Sequence, residues 1–227
     1  MDLKKDVYKA NGALVDHGLV ILTWGNVSGI DRKKGQVVIK PSGIPVNELK
    51  PEKMVILDME GNVVDGFLKP SMDAPTHLAL YRKFPSIGSV VHTHSEWATI
   101  WAQAGRHIPA LGTTHADYFS DDIPCTRPLT TKEIGTAYEA KTGNVIIETF
   151  KRMDPMNIPG VLVHSHGPFA WGRTPDEAVE NALVLEKIAK LAYHTLMLNP
   201  AMVMDEHLRL FHFQRKHGPN AYYGQEY

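Results

Sequence analysis

Cysteine is the scarcest informative residue here: one, Cys125, in 227 positions. An internal disulfide is therefore impossible, and so is a thiolate-rich structural zinc site. Cys125 sits in Ile123-Pro124-Cys125-Thr126-Arg127-Pro128, which reads as a short strand between prolines, so a packed, inert thiol is expected rather than a nucleophile. Charge of one sign is also missing. Lysine plus arginine number 24 against 25 aspartate plus glutamate, and no basic run or zinc-finger spacing occurs, which argues against a nucleic-acid partner. No apolar run approaches the length needed to span a bilayer, and the N-terminus has no apolar signal region, so no membrane partner is expected and the cytoplasm is the expected setting. Gly-x-Gly-x-x-Gly, the P-loop and His-Glu-x-x-His are all absent, which leaves a dinucleotide fold, a P-loop nucleotidase or a zincin peptidase without support. An anionic ligand would have to be gripped by a local pocket.

What is present is an ordinary globular composition, 43% hydrophobic and 22% charged, in a chain long enough for a proper core. Apolar spacing predicts a helix over 3–17 stopped by Gly18, then strands near 19–23, 26–30 and 37–39. A hairpin is expected from 54–58 and 63–64 around Glu60-Gly61-Asn62. Asp73 opens a helix to about Phe84, with Pro75 in its first turn. A strand over 89–94 and a helix over 95–104 follow. Residues 111–118 are polar and aperiodic and read as a functional loop. A helix over 131–142 continues to about Phe150 after an interruption at Gly143. Strands over 161–166 and 169–171 precede a long helix from Thr174 to about Leu198, opened by a capping-box-like Thr174-Pro175-Asp176-Glu177. A last helix spans about 205–217, and 219–227 form an aromatic tail. With no repeat, low-complexity tract or linker, strands mixed with helices predict a single three-layer α/β domain over 1–227.

The most telling feature is Val90-Val91-His92-Thr93-His94-Ser95. In a strand, positions i and i+2 point to one side of the sheet, roughly 6.6 Å apart along it, so both imidazoles can close on one ion. A second His-x-His stands in Val163-His164-Ser165-His166-Gly167, and a third imidazole from another strand is a common way to hold a catalytic zinc. His166 is preferred over His164 because Gly167 lets the chain turn beside it, although period two also allows His164. Asp73 reads either as a helix N-cap or as a carboxylate beside the ion, a fourth ligand or a base. An imidazole site with an open position implies Lewis-acid chemistry on an oxygen-rich ligand. Thr23-Trp24-Gly25-Asn26-Val27-Ser28 and Lys40-Pro41-Ser42-Gly43 are small, polar, glycine-bearing turns at strand ends. With Ser71 they offer N–H groups, hydroxyls and close backbone approach for a phosphate.

Six stretches occur together in order: the Thr23–Ser28 turn, Ile39-Lys40-Pro41-Ser42-Gly43, Val91-His92-Thr93-His94-Ser95, Gly112-Thr113-Thr114-His115-Ala116-Asp117-Tyr118, Val163-His164-Ser165-His166-Gly167-Pro168-Phe169-Ala170-Trp171-Gly172, and Arg215-Lys216-His217-Gly218-Pro219-Asn220-Ala221-Tyr222-Tyr223-Gly224-Gln225. In these the chain resembles the L-ribulose-5-phosphate 4-epimerases of the class II aldolase superfamily, over essentially its whole length. The resemblance implies a cytosolic homotetramer with a mixed, mostly antiparallel sheet between helical layers. It implies one zinc ion per subunit, held by His92, His94 and His166 with Asp73 beside it. It places a phosphorylated ketopentose against Gly25, Asn26, Lys40, Ser42, Gly43 and Ser71, with Thr113, Glu139 and His212 also near the substrate. Sites between subunits would bring Tyr223 of a neighbour to Asp117. One departure is visible: the family usually carries two hydroxyl residues before the aspartate, whereas Met72 follows Ser71 here.

The implied activity interconverts L-ribulose 5-phosphate and D-xylulose 5-phosphate. C4 is not alpha to the carbonyl, so its hydrogen is not acidic. Retro-aldol cleavage of C3–C4, rotation of the aldehyde fragment and re-addition avoids that barrier. Asp117 and Tyr223 are the expected proton carriers on the two faces of C4. Two rival readings remain at this point: a class II aldolase that releases its fragments, in which a glutamate acts at the place of Asp73, and a non-catalytic metal or sugar-phosphate binding protein.

Overall fold

The Val-Val-His-Thr run forms the middle of the sheet because it can be covered on both faces. In the computed structural model, which describes residues 2–219 and 221–222, β5 (Ser89–Thr93) is buried along its whole length. It pairs antiparallel with β1 (Gly25–Asp31) on one side and β7 (Gly167–Gly172) on the other. The sheet grows outward through β2 (Gln36–Ile39), β3 (Val55–Asp58) and β4 (Val63–Asp65) beyond β1, and ends on β6 (Gly160–Val163) beyond β7. All six ladders among these seven strands are antiparallel. Among the described residues the one parallel pairing is an isolated bridge between Cys125 and Leu162. The Cys125 thiol is half-buried there, and burial pushes its pKa up to about 11, as an inert packed cysteine requires.

Helices cover both faces, giving the expected three layers. α1 (Leu3–Asp16) and α6 (Pro175–Leu198) pack on the face that carries Val27, Val91 and Ala170. α2 (Ala74–Lys83) and α5 (Thr131–Thr149) contribute Ala74, Leu78, Tyr81 and Ile146 to the core of the opposite face, which includes Val90, Phe169 and Trp171. Local chemistry sets the ends. Gly18, at φ +69°, closes α1: its N–H donates to Val15 O at 2.9 Å and that of Leu19 to Leu14 O at 2.8 Å, the double bond of a glycine-terminated helix. Thr174 caps α6 by accepting the Glu177 N–H at 3.2 Å. Three further α-helices, α3 (Glu96–Gln103), α4 (Thr113–Ala116) and α7 (Glu206–His217), and two single-turn 3-10 helices, Val46–Glu48 and Pro51–Lys53, complete the elements among the described residues.

Four local expectations are revised. Residues 19–23 form no strand, with a turn at 22–23 and Leu22 at φ +57°, because β5 ends at Thr93 and leaves nothing for them to pair with beyond Gly25. The predicted loop over 111–118 contains the single-turn helix α4. The strand expected over 161–166 stops at Val163, so His164 and His166 lie in a tight connection whose middle residue, Ser165, has φ +59°. The break in α5 falls at Ala137 (φ −160°, ψ 68°), not at Gly143. Gly143 instead marks where α5 crosses α2: a Cβ there would stand 2.7 Å from Ala79 Cβ and 3.4 Å from the Thr76 backbone.

That contact yields a test. In an open helix Gly→Ala gains about 1 kcal/mol. At position 143 the crowding against α2 opposes it, and overpacking typically costs about 1–3 kcal/mol. Gly143→Ala is therefore expected to lower Tm by a few degrees in a thermal melt. A raised Tm would show that the α2–α5 contact is looser than described.

Candidate metal centre

Register assembles the site. Asn26 lies opposite His92 in the β1–β5 ladder, and His92 opposite Phe169 in the β5–β7 ladder. The three side chains thus form one row on the face covered by α2 and α5. The His92 ring stacks on Phe169, centroids 4.2 Å apart and planes 15° apart. Its Nδ1–H donates to Pro168 O at 3.0 Å, which leaves Nε2 as a lone-pair donor. His94 follows two positions later, just past the end of β5, and its Nε2 stands 3.2 Å from that of His92. His166, from the β6–β7 connection, closes the group, its ring centroid 4.7 Å from His92 and 5.0 Å from His94. Tyr138 Oη on α5 lies 3.2 Å from His166 Nδ1, which leaves the other ring nitrogen for the cluster.

Whether such a group fits a metal ion can be judged from its donors. One nitrogen from each ring lies within 4.8 Å of the others. A tetrahedral zinc with nitrogens at ~2.0–2.1 Å requires them about 3.3 Å apart, close to the His92–His94 spacing. Burial lowers the pKa of all three imidazoles. His92 and His94 are shifted down, and His166 falls to about 4, with burial the main cause and the neighbouring His92 and His94 adding to it. The rings are therefore neutral at pH 7, each keeping one ring nitrogen as a lone-pair donor. That arrangement fits a soft-to-borderline divalent cation.

Asp73 stands at the head of α2 in the N-cap position, yet its carboxylate makes no cap bond. It turns instead toward the histidines, accepting from Asn26 Nδ2 at 2.7 Å, with Ser71 Oγ 3.5 Å away. Burial would raise its pKa, but the fields of His92 and His77 and the Asn26 amide outweigh this and hold it below the usual carboxylate range. Its oxygens are not part of the mutually close imidazole group. His77, one turn along α2, is wholly buried. It bonds Ser28 Oγ through Nδ1 at 2.7 Å, and Ser28 in turn meets Tyr81 Oη at 2.7 Å.

The imidazoles form the floor of a cavity of about 620 Å³. Gly25, Asn26, Lys40, Ser42, Gly43, Ser71 and Glu139, all singled out in the sequence, line it, as do Met72 and Asp73. Gly25 is required for space and backbone alike: its φ is +135°, and a Cβ would meet Val20 Cγ2 at 2.8 Å and His92 O at 2.9 Å. Lys40 is almost fully buried; burial lowers its pKa while Asp73 opposes the shift. Sequence reasoning missed Tyr138, because nothing in a helical stretch marks one tyrosine as facing a histidine 28 positions later. His164 is excluded from the group: its ring lies against Gly105, and its Nδ1 is paired with Ser165 Oγ.

Thr113, Asp117 and His212 do not line this cavity. Asp117, at the end of α4, is held by α7: His212 Nδ1 is 3.0 Å from Oδ1, and Arg215 Nη2 donates to Oδ1 at 3.1 Å and Oδ2 at 3.0 Å. Burial would raise the pKa of this carboxyl, but these bonds and nearby Lys216 hold it low. Tyr223 lies outside the described residues.

The model of the class II aldolase and adducin N-terminal domain matches residues 5–193. The L-ribulose-5-phosphate 4-epimerase UlaF of Salmonella paratyphi C (strain RKS4594) is 56% identical over 225 residues, covering 99% of each chain. Among solved structures, an L-fuculose 1-phosphate aldolase superposes with a TM-score of 0.80 at 28% identity, covering 95% of this chain and 96% of its own. The L-fuculose-1-phosphate aldolase from Thermus thermophilus shares the fold with a TM-score of 0.69 at 21% identity, over 90% of this chain and 99% of its own. With the matched domain spanning most of its length, this chain belongs to the class II aldolase and adducin N-terminal domain family.

Proposed function

We propose that this chain is a zinc-dependent L-ribulose-5-phosphate 4-epimerase that inverts C4 by cleaving and re-forming the C3–C4 bond. The observation that carries the reading is the convergence of three neutral imidazoles beside Asp73, at the floor of a cavity whose walls hold Lys40 and the Gly25, Ser42, Gly43 and Ser71 turns. The full-length identity to a 4-epimerase supports the choice of reaction.

When bound, a divalent ion supplies Lewis acidity for the negative charge that develops on the three-carbon fragment. The chain supplies the rest. Asn26 holds the Asp73 carboxylate in place, and Pro168 and Tyr138 orient the His92 and His166 rings. The hydroxyls and N–H groups of the glycine turns grip the phosphate, so the two-carbon aldehyde turns over without escaping. Proton transfer at C4 falls to Asp117 and Tyr223. Since Asp117 does not line the cavity of its own chain, it acts at the cavity of a neighbouring copy within the proposed homotetramer. A sugar phosphate is charged and stays where it is made, so the cytoplasm is the proposed setting.

The aldolase alternative draws on the structural relative at 28% identity, and one assay separates the two. Zinc-loaded protein given L-ribulose 5-phosphate is expected to form D-xylulose 5-phosphate with all five carbons retained. Free dihydroxyacetone and glycolaldehyde phosphate as the main products would support an aldolase, and substrate binding without turnover a binding protein. His92→Ala should lose both bound zinc and turnover; an active, metal-free variant would contradict the centre.

Subunit sharing has its own test. Asp117→Asn and His92→Ala proteins, each inactive alone, should regain activity when co-expressed as mixed oligomers. Mixtures no more active than their parts would place Asp117 outside the reaction.

Acid should destabilise the metal-free protein. His77 is pushed down to about 3 and His166 to about 4, chiefly by burial, from an ordinary value of 6.5. Between these limits the unfolded chain binds more protons than the folded one, so stability is complete above about pH 6.5 and falls as pH drops toward 4 and below. The urea midpoint should decline steadily over that range; a flat midpoint from pH 7 to about 4.5 would refute the buried neutral rings.

A further inference from the structure

His94 is exposed where His92 is buried and His166 half-buried; its strand has ended, and α3 begins two residues later. What fixes that junction is not obvious locally. Ser95 occupies the N-cap of α3 but makes no side-chain cap bond. The first N–H groups of the helix are satisfied from elsewhere. Glu186, on α6, accepts from Trp97 N through Oε1 at 2.8 Å and from Ala98 N through Oε2 at 2.9 Å. Both carboxylate oxygens are thus used on the helix end that follows His94 directly, where a negative charge also meets the positive end of the helix dipole. One turn further along α6, Ala189 O accepts from Trp101 Nε1 at 3.0 Å, a second tie between the same two helices.

The far end of α3 reaches the other half of the centre. Ala102 O accepts the N–H of Ser165 at 2.8 Å. Ser165 is the residue with φ +59° immediately before His166. Gly105, just past the helix, lies against the ring of His164, with room for no Cβ: one would stand 2.7 Å from Nε2. α3 is therefore a strut whose start follows one imidazole and whose last turn anchors the connection that presents another.

We infer that Glu186 is a positioning residue for the metal centre: by clamping the start of α3 it sets the spacing between His94 and His166. The inference rests on the three-imidazole centre proposed above and adds to it a residue remote from the cavity, on a helix of the opposite layer. Glu186 touches neither metal nor substrate, so its effect must pass through the backbone of α3.

Cobalt(II) alone, added to the full-length apo-protein, reads this without recourse to turnover. Its absorption bands report ligand geometry, and competition with a chelator gives affinity. Glu186→Ala is expected to weaken cobalt binding by about 10–100-fold, the range typical of residues that orient metal ligands, and to shift the visible bands. Glu186→Gln, which keeps the size and one acceptor, should fall between it and the unaltered protein. Thr174→Ala removes a comparable helix cap at the start of α6, away from the ligands, and should lower thermal stability while preserving cobalt affinity and spectrum. Glu186→Ala with unaltered affinity and bands, or Thr174→Ala with an equal loss, would overturn the inference. Should Glu186→Ala fail to fold by circular dichroism, Glu186→Gln decides on the same criteria. Failure of the unaltered protein to bind cobalt would instead sink the metal centre itself, and this inference with it.

Discussion

Three uncharged imidazoles, His92 buried, His166 half-buried and His94 exposed, bring one ring nitrogen each to within 4.8 Å of one another, and a shared cation is what such a group is built to hold. His92 spends its proton on the Pro168 carbonyl, so its Nε2 lone pair faces His94 Nε2 at 3.2 Å, close to the spacing of two nitrogens that share one cation. Burial lowers the pKa of all three rings and keeps them from taking up protons at neutral pH. Neighbouring contacts hold the group in place: Asn26 steadies the adjacent carboxylate, Tyr138 meets the far nitrogen of His166, and Phe169 fixes the plane of His92 by stacking on it.

The sheet supplies this arrangement at little conformational cost. Antiparallel register puts Asn26, His92 and Phe169 in one row, and a slip of one residue in any of the three strands would turn its member of that row to the face covered by α1 and α6. A largely apolar β5, buried on both sides, resists such slips because Val90 and Val91 belong to separate cores on opposite faces. The polar ends of the strands are left to carry chemistry. The turn before β1, the turn after β2 and the connection after β6 all open onto or border the same cavity.

Much of this was legible in the residues. The His92–His94 pair declared itself through period two, and Gly18 and Thr174 marked helix ends by their own turn and cap chemistry. The choice of His166 over His164 was weak from spacing alone, because it depends on where β6 ends and how Ser165 turns, both set by pairing with β7 and by α3. Residues 19–23 look like a strand only until one knows that β5 stops at Thr93. Gly143 reads as a break in isolation and proves to be a contact, since a glycine's role depends on what approaches it. Glu186 carried no signal at all: its partners are backbone groups 88 and 89 positions away. Long-range backbone capping leaves no local pattern.

The central claim is that His92, His94 and His166 jointly bind one dication. X-ray absorption at the zinc edge on the purified, zinc-loaded protein tests it most directly. The account predicts one zinc per chain with about three imidazole nitrogens at ~2.0–2.1 Å and the remainder oxygen. A shell made of oxygen alone, or fewer than two imidazoles per zinc, would contradict it.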